Sequence, residues 1–500
     1  MKKLVSVFLI ATMLMSVFAL APLAETDYSG YEEIATEADL LDFIETAADD
    51  GCMDMAYVLT ADITMTQAWT NIDWFAGTLD GNGHTITLTQ PMEDSMFNDL
   101  DMSSIIKNLT VTGINVSGDT HVFGLAKSAN GNIWDCNFVD AKMTATGEEV
   151  GLIGVNQGMV SRVNVINVEI VGAGNIAGGI ANRAKAGSVI RYCTVSGSIT
   201  SNYHVGGIVG DANGGGEPVL IESCLNFATV TARESRAGGI SATNQADVTV
   251  RNCGNYGTII AYRGDAVMTR DDTKVSGMGC WEVGSKPYVV ENCFNAGMLI
   301  GGYVNPYIGG ITGRSDYCNN NVKNCYSLEN MLYRYADVNR QTTEPIADSW
   351  ISGVDGSGAQ LDGNERNTNG TVVTADVFKS AEMITKLGAA FQLNIGDDKD
   401  EYPIILAVDT TEAPSPEIES GDTTTPGGDT TIGGDSTTGG DTTTTTAPAD
   451  NNETDAPATT TAAPAPAEEE GCASVIGGAT VALLAIAGVA PMVIRKKKED

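Results

Sequence analysis

Gly206-Gly207-Ile208-Val209-Gly210 and its near copy Gly309-Gly310-Ile311-Thr312-Gly313 decide the reading of this chain. Aligned on the glycine before an apolar residue, they belong to a column: Gly124-Leu125, Gly151-Leu152, Gly179-Ile180, Gly207-Ile208, Gly239-Ile240, Gly277-Met278 and Gly310-Ile311, at steps of 27, 28, 28, 32, 38 and 33 residues. Self-similarity at such a period marks stacked units. A second column keeps step with it: Leu109, Cys136, Val163, Cys193, Cys224, Cys253, Cys293 and Cys325. The runs around both columns are short, β-branched and broken by Gly, Asn and Asp, which suits strands and not helices. One such unit cannot bury its own apolar face, but a stack can.

The pattern predicts an all-β fold, a right-handed parallel β-helix over residues 57–335, in which like residues sit about 4.8 Å apart on successive coils. A glycine-rich sandwich would explain the strands but not the pitch. Asn226, Asn255 and Asn295, each two residues after its cysteine, are expected to form an amide ladder, since stacked side-chain amides satisfy one another. The cysteines point the same way in parallel strands, which is poor disulfide geometry. They read as small core residues.

Working outward, residues 25–56 should lid the array. Thr36 can cap a short helix whose apolar stripe is Leu40, Leu41, Phe43, Ile44 and Ala47. Residues 336–409 read as a C-terminal cap that includes a serine-capped, glycine-stopped helix from Lys379 to Gly388. Beyond it, residues 410–470 are rich in Thr, Pro, Gly and Asp and cannot bury a core, so they read as a disordered stalk. Residues 474–494 are apolar for the length of a membrane span, within a transmembrane helix placed at 471–494, and the basic tail 495–500 follows. The tail orients the chain with its basic end in the cytoplasm. Residues 1–24 carry Lys2-Lys3, an apolar run and small residues, the pattern of a secretory signal.

Composition excludes some functions. With 28 Lys+Arg against 64 Asp+Glu, the net charge of −36 argues against a nucleic-acid partner. No CxxC or Cys/His zinc spacing occurs, and no metal site or cofactor is expected. Of three histidines, His84 belongs to a turn. His121 and His204 stand three residues before their repeat glycines, in an outward column otherwise filled by Glu148, Ile176, Arg236, Lys274 and Tyr307, three coils apart and too distant to share a metal. Asp80-Gly81-Asn82-Gly83 lacks the spaced acids of a calcium loop and reads as a turn.

The phrase from Phe75 to Ile86, Phe-Ala-Gly-Thr-Leu-Asp-Gly-Asn-Gly-His-Thr-Ile, followed by Ile106-Lys107-Asn108-Leu109-Thr110-Val111, resembles secreted bacterial proteins with GLUG-type repeats. The resemblance covers residues 34–407. It implies a surface protein of adhesin-like kind, or the non-catalytic part of an IgA-cleaving metallopeptidase, whose H-E-x-x-H zinc helix is absent from this sequence.

The longest interruption lies between Cys253 and Cys293. It should project as a loop bearing Arg263, Gly264, Asp265, Arg270, Asp271 and Asp272, the candidate binding residues. The organisation as a whole predicts a membrane-anchored cell-surface protein that binds a host or neighbouring-cell glycan or matrix protein. The alternatives are a polysaccharide lyase or hydrolase, with Asp265, Asp271 and Asp272 on a cation and Arg236, Arg270 or Lys274 as base, and a surface-layer spacer that binds nothing.

Overall fold

The computed structural model describes residues 27–245, 247–262, 273–281, 289–302, 307–313, 322–335, 343–345, 370–394, 402–406 and 414. The expected signal, stalk, membrane span and tail lie outside these residues. Among the described residues no helix is long and apolar enough to cross a membrane.

The coil that carries the first motif runs through Val189–Arg191, then Thr194–Ser201, then His204–Gly206 and Val209–Ala212, before Val219–Glu222 begins the next. These segments fall in three different sheets, which form three faces of a parallel β-solenoid. Each pairs in parallel with its equivalent one coil on: Ile190 with Ile221, Ile199 with Val230, Val205 with Ala237. Among the described residues the antiparallel pairs are two hairpins near the C-terminal end of the array, Leu332–Tyr335 with Thr343–Pro345 and Phe391–Leu393 with Pro403–Ile405.

Both sequence columns are structural columns. Leu125, Leu152, Ile180, Ile208, Ile240, Met278 and Ile311 all lie in the core at 1% exposure or less. They mark a kink that splits the third face in two. At Gly206 an added Cβ would meet the carbonyl of Val209 at 1.8 Å, so the kink closes too tightly for any side chain there. The expected amide ladder is present across the interior from it. Asn226 Nδ2 donates to Asn255 Oδ1 at 2.8 Å and Asn255 Nδ2 to Asn295 Oδ1 at 2.7 Å. The spare amide hydrogens go to the carbonyls of Ala228, Gly257 and Gly297, so these buried amide groups are met.

The cysteines stack as expected. The backbone N–H of Cys224 donates to Cys253 Sγ and that of Cys253 to Cys293 Sγ, both at 3.4 Å. All eight cysteines among the described residues are free thiols and buried. The residue before each column member turns the corner between the first two faces. Asn108, Asp135, Arg162, Tyr192, Ser223, Asn252, Asn292 and Asn324 all have φ between 49° and 55°. That is the left-handed region, which asparagine and aspartate tolerate best among residues with a Cβ.

At the N-terminal end, Glu32–Ile34 already pairs with Tyr57–Leu59 in the first face, ahead of the helix Glu37–Asp50. That helix has the expected capping box: Thr36 Oγ1 accepts from the Asp39 N–H and Asp39 Oδ2 from the Thr36 N–H. Leu40, Phe43, Ile44 and Ala47 are buried, while Leu41 is only partly so. The helix covers the first coil, where the edge would otherwise be open to other chains.

At the other end Thr371–Val373 adds a parallel strand beside Tyr326–Leu328. The helices Ala375–Phe378 and Ala381–Leu387 and the hairpin after them then pack with outward residues of the second face, burying Leu225, Phe294, Phe378, Met383 and Phe391 together. Ser380 precedes the second helix as expected, and Gly388 ends it. The expected serine cap is absent, because the Ser380 hydroxyl donates to the Val377 carbonyl at 2.6 Å and so is turned back to the preceding helix.

Candidate functional site

Side chains alternate across a strand, so the neighbours of each core residue point outward. On the first face, Ile190, Ile221, Val250 and Val290 point in. The outward residues after them are Arg191, Glu222, Arg251 and Glu291, with Lys323 next in register. Charge alternates coil by coil. Arg251 Nε lies 2.6 Å from Glu222 Oε1, and at the start of the same column Lys107 Nζ lies 3.1 Å from Asp80 Oδ2. Opposite charges directly across a strand pair stabilise, and a slip would break the series. From Arg191 to Lys323 the alternation serves the stack.

The third face is different. Val122, Val150, Ala177, Val205, Ala237, Val275 and Ile308 are its core column. The outward column beside them is His121, Glu149, Ile176, His204, Arg236, Lys274 and Tyr307. The sequence alignment placed Glu148 here, and the register corrects it to Glu149. Between paired positions, Gly124 and Leu125 on one coil face the single residue Leu152 on the next, so everything before Gly151 moves by one. His121 and His204 are three coils apart, as expected.

The kink turns this outward column toward the second half of the face. Arg183 Nε lies 2.9 Å from Glu149 Oε1, and Arg183 Nη1 3.7 Å from Asp211 Oδ2. Gln245 Nε2 donates to Asp211 Oδ1 at 3.0 Å. His121, about half exposed, stands 3.6 Å from Glu148 and 3.9 Å from Glu149. On the next coils Arg236 Nη1 sits 3.1 Å from His204 Nε2. The strip thus has an acidic part with a bridging arginine and a basic part of three successive coils. Two carboxylates and an arginine can hold a polar chain or, if a carboxylate is released, act as a base. Here both carboxylates are only about a tenth exposed and are held by Arg183.

The expected loop residues Arg263, Gly264, Asp265, Arg270, Asp271 and Asp272 lie outside the described residues. His84 pairs with Asp62 at 3.3 Å beside its turn, and holds that carboxyl down together with the Thr85 N–H, the larger cause. Asp80 is fully buried and spent on structure: it takes hydrogen bonds from Asn108 Nδ2 at 3.0 Å and the Asn82 N–H at 2.8 Å, as well as Lys107. Burial pushes the thiols of Cys193, Cys224, Cys253 and Cys293 well up, away from nucleophilic form. No group of three His, Cys, Asp or Glu among the described residues could hold a metal ion. Sequence reasoning missed Arg183, Asp211 and Gln245, since nothing in their spacing announces the kink that gathers them.

No protein-family model matches the chain, and no curated protein matches it. Solved structures are similar to it, two of them as follows. One is named a "putative immunoglobulin A1 protease from Bacteroides ovatus", at 17% identity over 79% of this chain and 96% of that one, with a TM-score of 0.43. The other is named "IgA1 Protease", at 14% identity and a TM-score of 0.39, with 66% of this chain covering 24% of that one. At these values the likeness says nothing of activity or of a site.

Proposed function

We propose that the chain is a cell-surface binding protein of adhesin-like kind, held to the membrane at 471–494 and carrying its solenoid on the stalk 410–470. The third-face strip carries this reading. It is a row of mostly polar and charged side chains, interrupted by Ile176 and largely buried except at His121, His204 and Arg236, at the pitch of the coils on a rigid support, which suits an extended polymer such as a glycan better than a small molecule. The order of signal, array, stalk, apolar span and basic tail in the sequence, and the GLUG resemblance on the residues quoted above, support the surface location.

The test is an array of glycans and matrix proteins probed with the full chain. Saturable binding to one class, weakened by substitution in the strip, is the expected result. An array with no binding would count against this reading and support a spacer that binds nothing. For location, the chain should stay with the membrane when the wall is digested, and release by wall-degrading enzyme alone would contradict the anchor.

One observation favours a second reading, a polysaccharide lyase or hydrolase: Glu149, Arg183 and Asp211 gather carboxylates and a cation on one outward face. Chain shortening of a polysaccharide by the protein, lost in Glu149→Gln, would select it.

A further inference from the structure

We propose that Asn213 is a site of spontaneous deamidation, and that its conversion to a carboxylate turns Gln245 away from Asp211. It holds whether or not the strip binds a ligand.

An asparagine that precedes glycine can be attacked by its own backbone. The glycine nitrogen bonds to the side-chain amide carbon and gives up its proton, and Nδ2 leaves with that proton as ammonia. Water then opens the five-membered ring to aspartate or isoaspartate. Glycine permits this because it lacks a Cβ and rotates freely.

The described residues contain three such steps, Asn82-Gly83, Asn130-Gly131 and Asn213-Gly214, and the asparagine of a fourth, at 369, lies outside them. The structure separates the three. The Gly83 N–H donates to the Asn108 carbonyl at 2.8 Å, and Asn82 Oδ1 accepts from the Tyr28 hydroxyl at 3.1 Å, so both reacting groups are held. The Asn130 amide turns back along the chain, with Nδ2 donating to Ser128 Oγ at 3.3 Å. Asn213 does the reverse. Its Oδ1 accepts from the Gly215 N–H at 3.1 Å, so the side chain reaches forward across the Gly214 peptide. The Gly214 N–H donates to no carbonyl among the described residues. Gly215 and Gly216 follow it, exposed and at φ of 57° and 124°, and their freedom supplies the rotation that ring closure needs.

The consequence follows from a chain of hydrogen bonds fixed at both ends. A backbone N–H must donate to Asn213 Oδ1, so Nδ2 is the group that donates to Gln245 Oε1, at 2.9 Å. Gln245 Nε2 therefore faces Asp211, donating to its two oxygens at 3.0 and 3.3 Å. A carboxylate at position 213 has no hydrogen to give, and Gln245 Oε1 would then face another acceptor. Turning the Gln245 amide over meets the new carboxylate with Nε2 and takes that group from Asp211. Arg183 Nη1 stays at 3.7 Å from Asp211, with a second negative charge close by. The conversion is one-way, so the hold on this third-face carboxylate weakens as the protein ages.

The experiment ages the full chain in mildly alkaline buffer, which favours loss of the peptide proton, and maps its peptides by mass spectrometry in the native state and in denaturant. The expected result is a gain of one mass unit at Asn213, about tenfold or more faster than at Asn82 or Asn130 in the native protein, because those two must first open locally. In denaturant the three rates should draw together. Equal or faster conversion at Asn82 or Asn130 in the native protein, or conversion of Asn213 in denaturant alone, would overturn the site. The rearrangement is read separately in the crystal structure of Asn213→Asp, where Gln245 Nε2 should face position 213 and leave Asp211. An amide that still donates to Asp211 there would overturn it, as would the same turn in Asn213→Gln, which keeps an amide at that position.

Discussion

Asn255 and Gly239 meet across the interior: a Cβ at Gly239 would lie 2.4 Å from Asn255 Cγ and 2.3 Å from the Gly277 carbonyl. Gly207 and Asn226, one coil earlier, repeat the relation at 2.5 Å. The kink of the third face thus rests directly on the amide ladder of the second. Neither side can retreat, because the carbonyl belongs to the next coil and the amide is bonded above and below. Gly239→Ala should cost about 1–3 kcal/mol through overpacking. It should lower the denaturation midpoint accordingly, and an unchanged midpoint would show that the two columns are not in contact.

The buried thiols give a chemical test. Cys136, Cys193, Cys224, Cys253, Cys293 and Cys325 are buried, and desolvation holds the first five of these thiols well above their ordinary range. Alkylation of the native protein followed by peptide mapping should leave all six unmodified, and all six should react in denaturant. Rapid native labelling of Cys253 would contradict its place in the stack.

These columns also show what the sequence could disclose. The glycine-apolar column, the thiol stack, the Asn ladder and the capping box were readable, because each repeats one residue type or one spacing. The left-handed corner was not, since Arg162, Tyr192 and Ser223 share a conformation with Asn252 but no chemistry. The shift at Gly151 was hidden because an internal bulge conserves the apolar residue while moving its neighbours, turning Glu148 into Glu149. Arg183 and Asp211 come together only through the kink, and the outward packing of the C-terminal helices depends on Phe294 being outside the coil, which its apolar nature argued against.

Acid should loosen the N-terminal coils first. Glu37 accepts from the Thr66 and Gln67 N–H groups, Asp39 closes the capping box, and Asp101 accepts from the Ser103 N–H. Hydrogen bonds hold all three carboxyls, and that of Asp62, below their ordinary values. A depressed folded-state pKa adds stability that is present above the unfolded value, near 4, and is lost as pH falls through the folded one. Protection of the helix Glu37–Asp50 against hydrogen exchange, taken relative to the intrinsic rate at each pH, should therefore fall from about pH 4 downward, ahead of coils 189–232. Uniform exchange along the array would contradict this.

The alternating column of the first face predicts a response to charge reversal. Arg251→Glu would set three carboxylates on adjacent coils, with Glu222 and Glu291, where Arg251 and Glu222 are now about an eighth exposed. Breaking a largely buried pair costs about 3–5 kcal/mol. The variant should unfold at a markedly lower midpoint, partly recovered by salt, whereas Arg251→Met should be milder.

The account depends on in-register parallel stacking, and spin-label distances measure it most directly. Asn115 pairs in turn with Lys142, Glu169, Ser198 and Thr229, four coil steps in all. Asn115, Lys142 and Thr229 are exposed and can carry labels. At about 4.8 Å per coil, labels at Asn115 and Thr229 should lie about 19 Å apart, and labels at Lys142 and Thr229 about 14 Å. A difference of one coil pitch between the two pairs is the predicted result. Equal distances, or a longer distance for the pair nearer in sequence, would contradict the solenoid and everything placed on it.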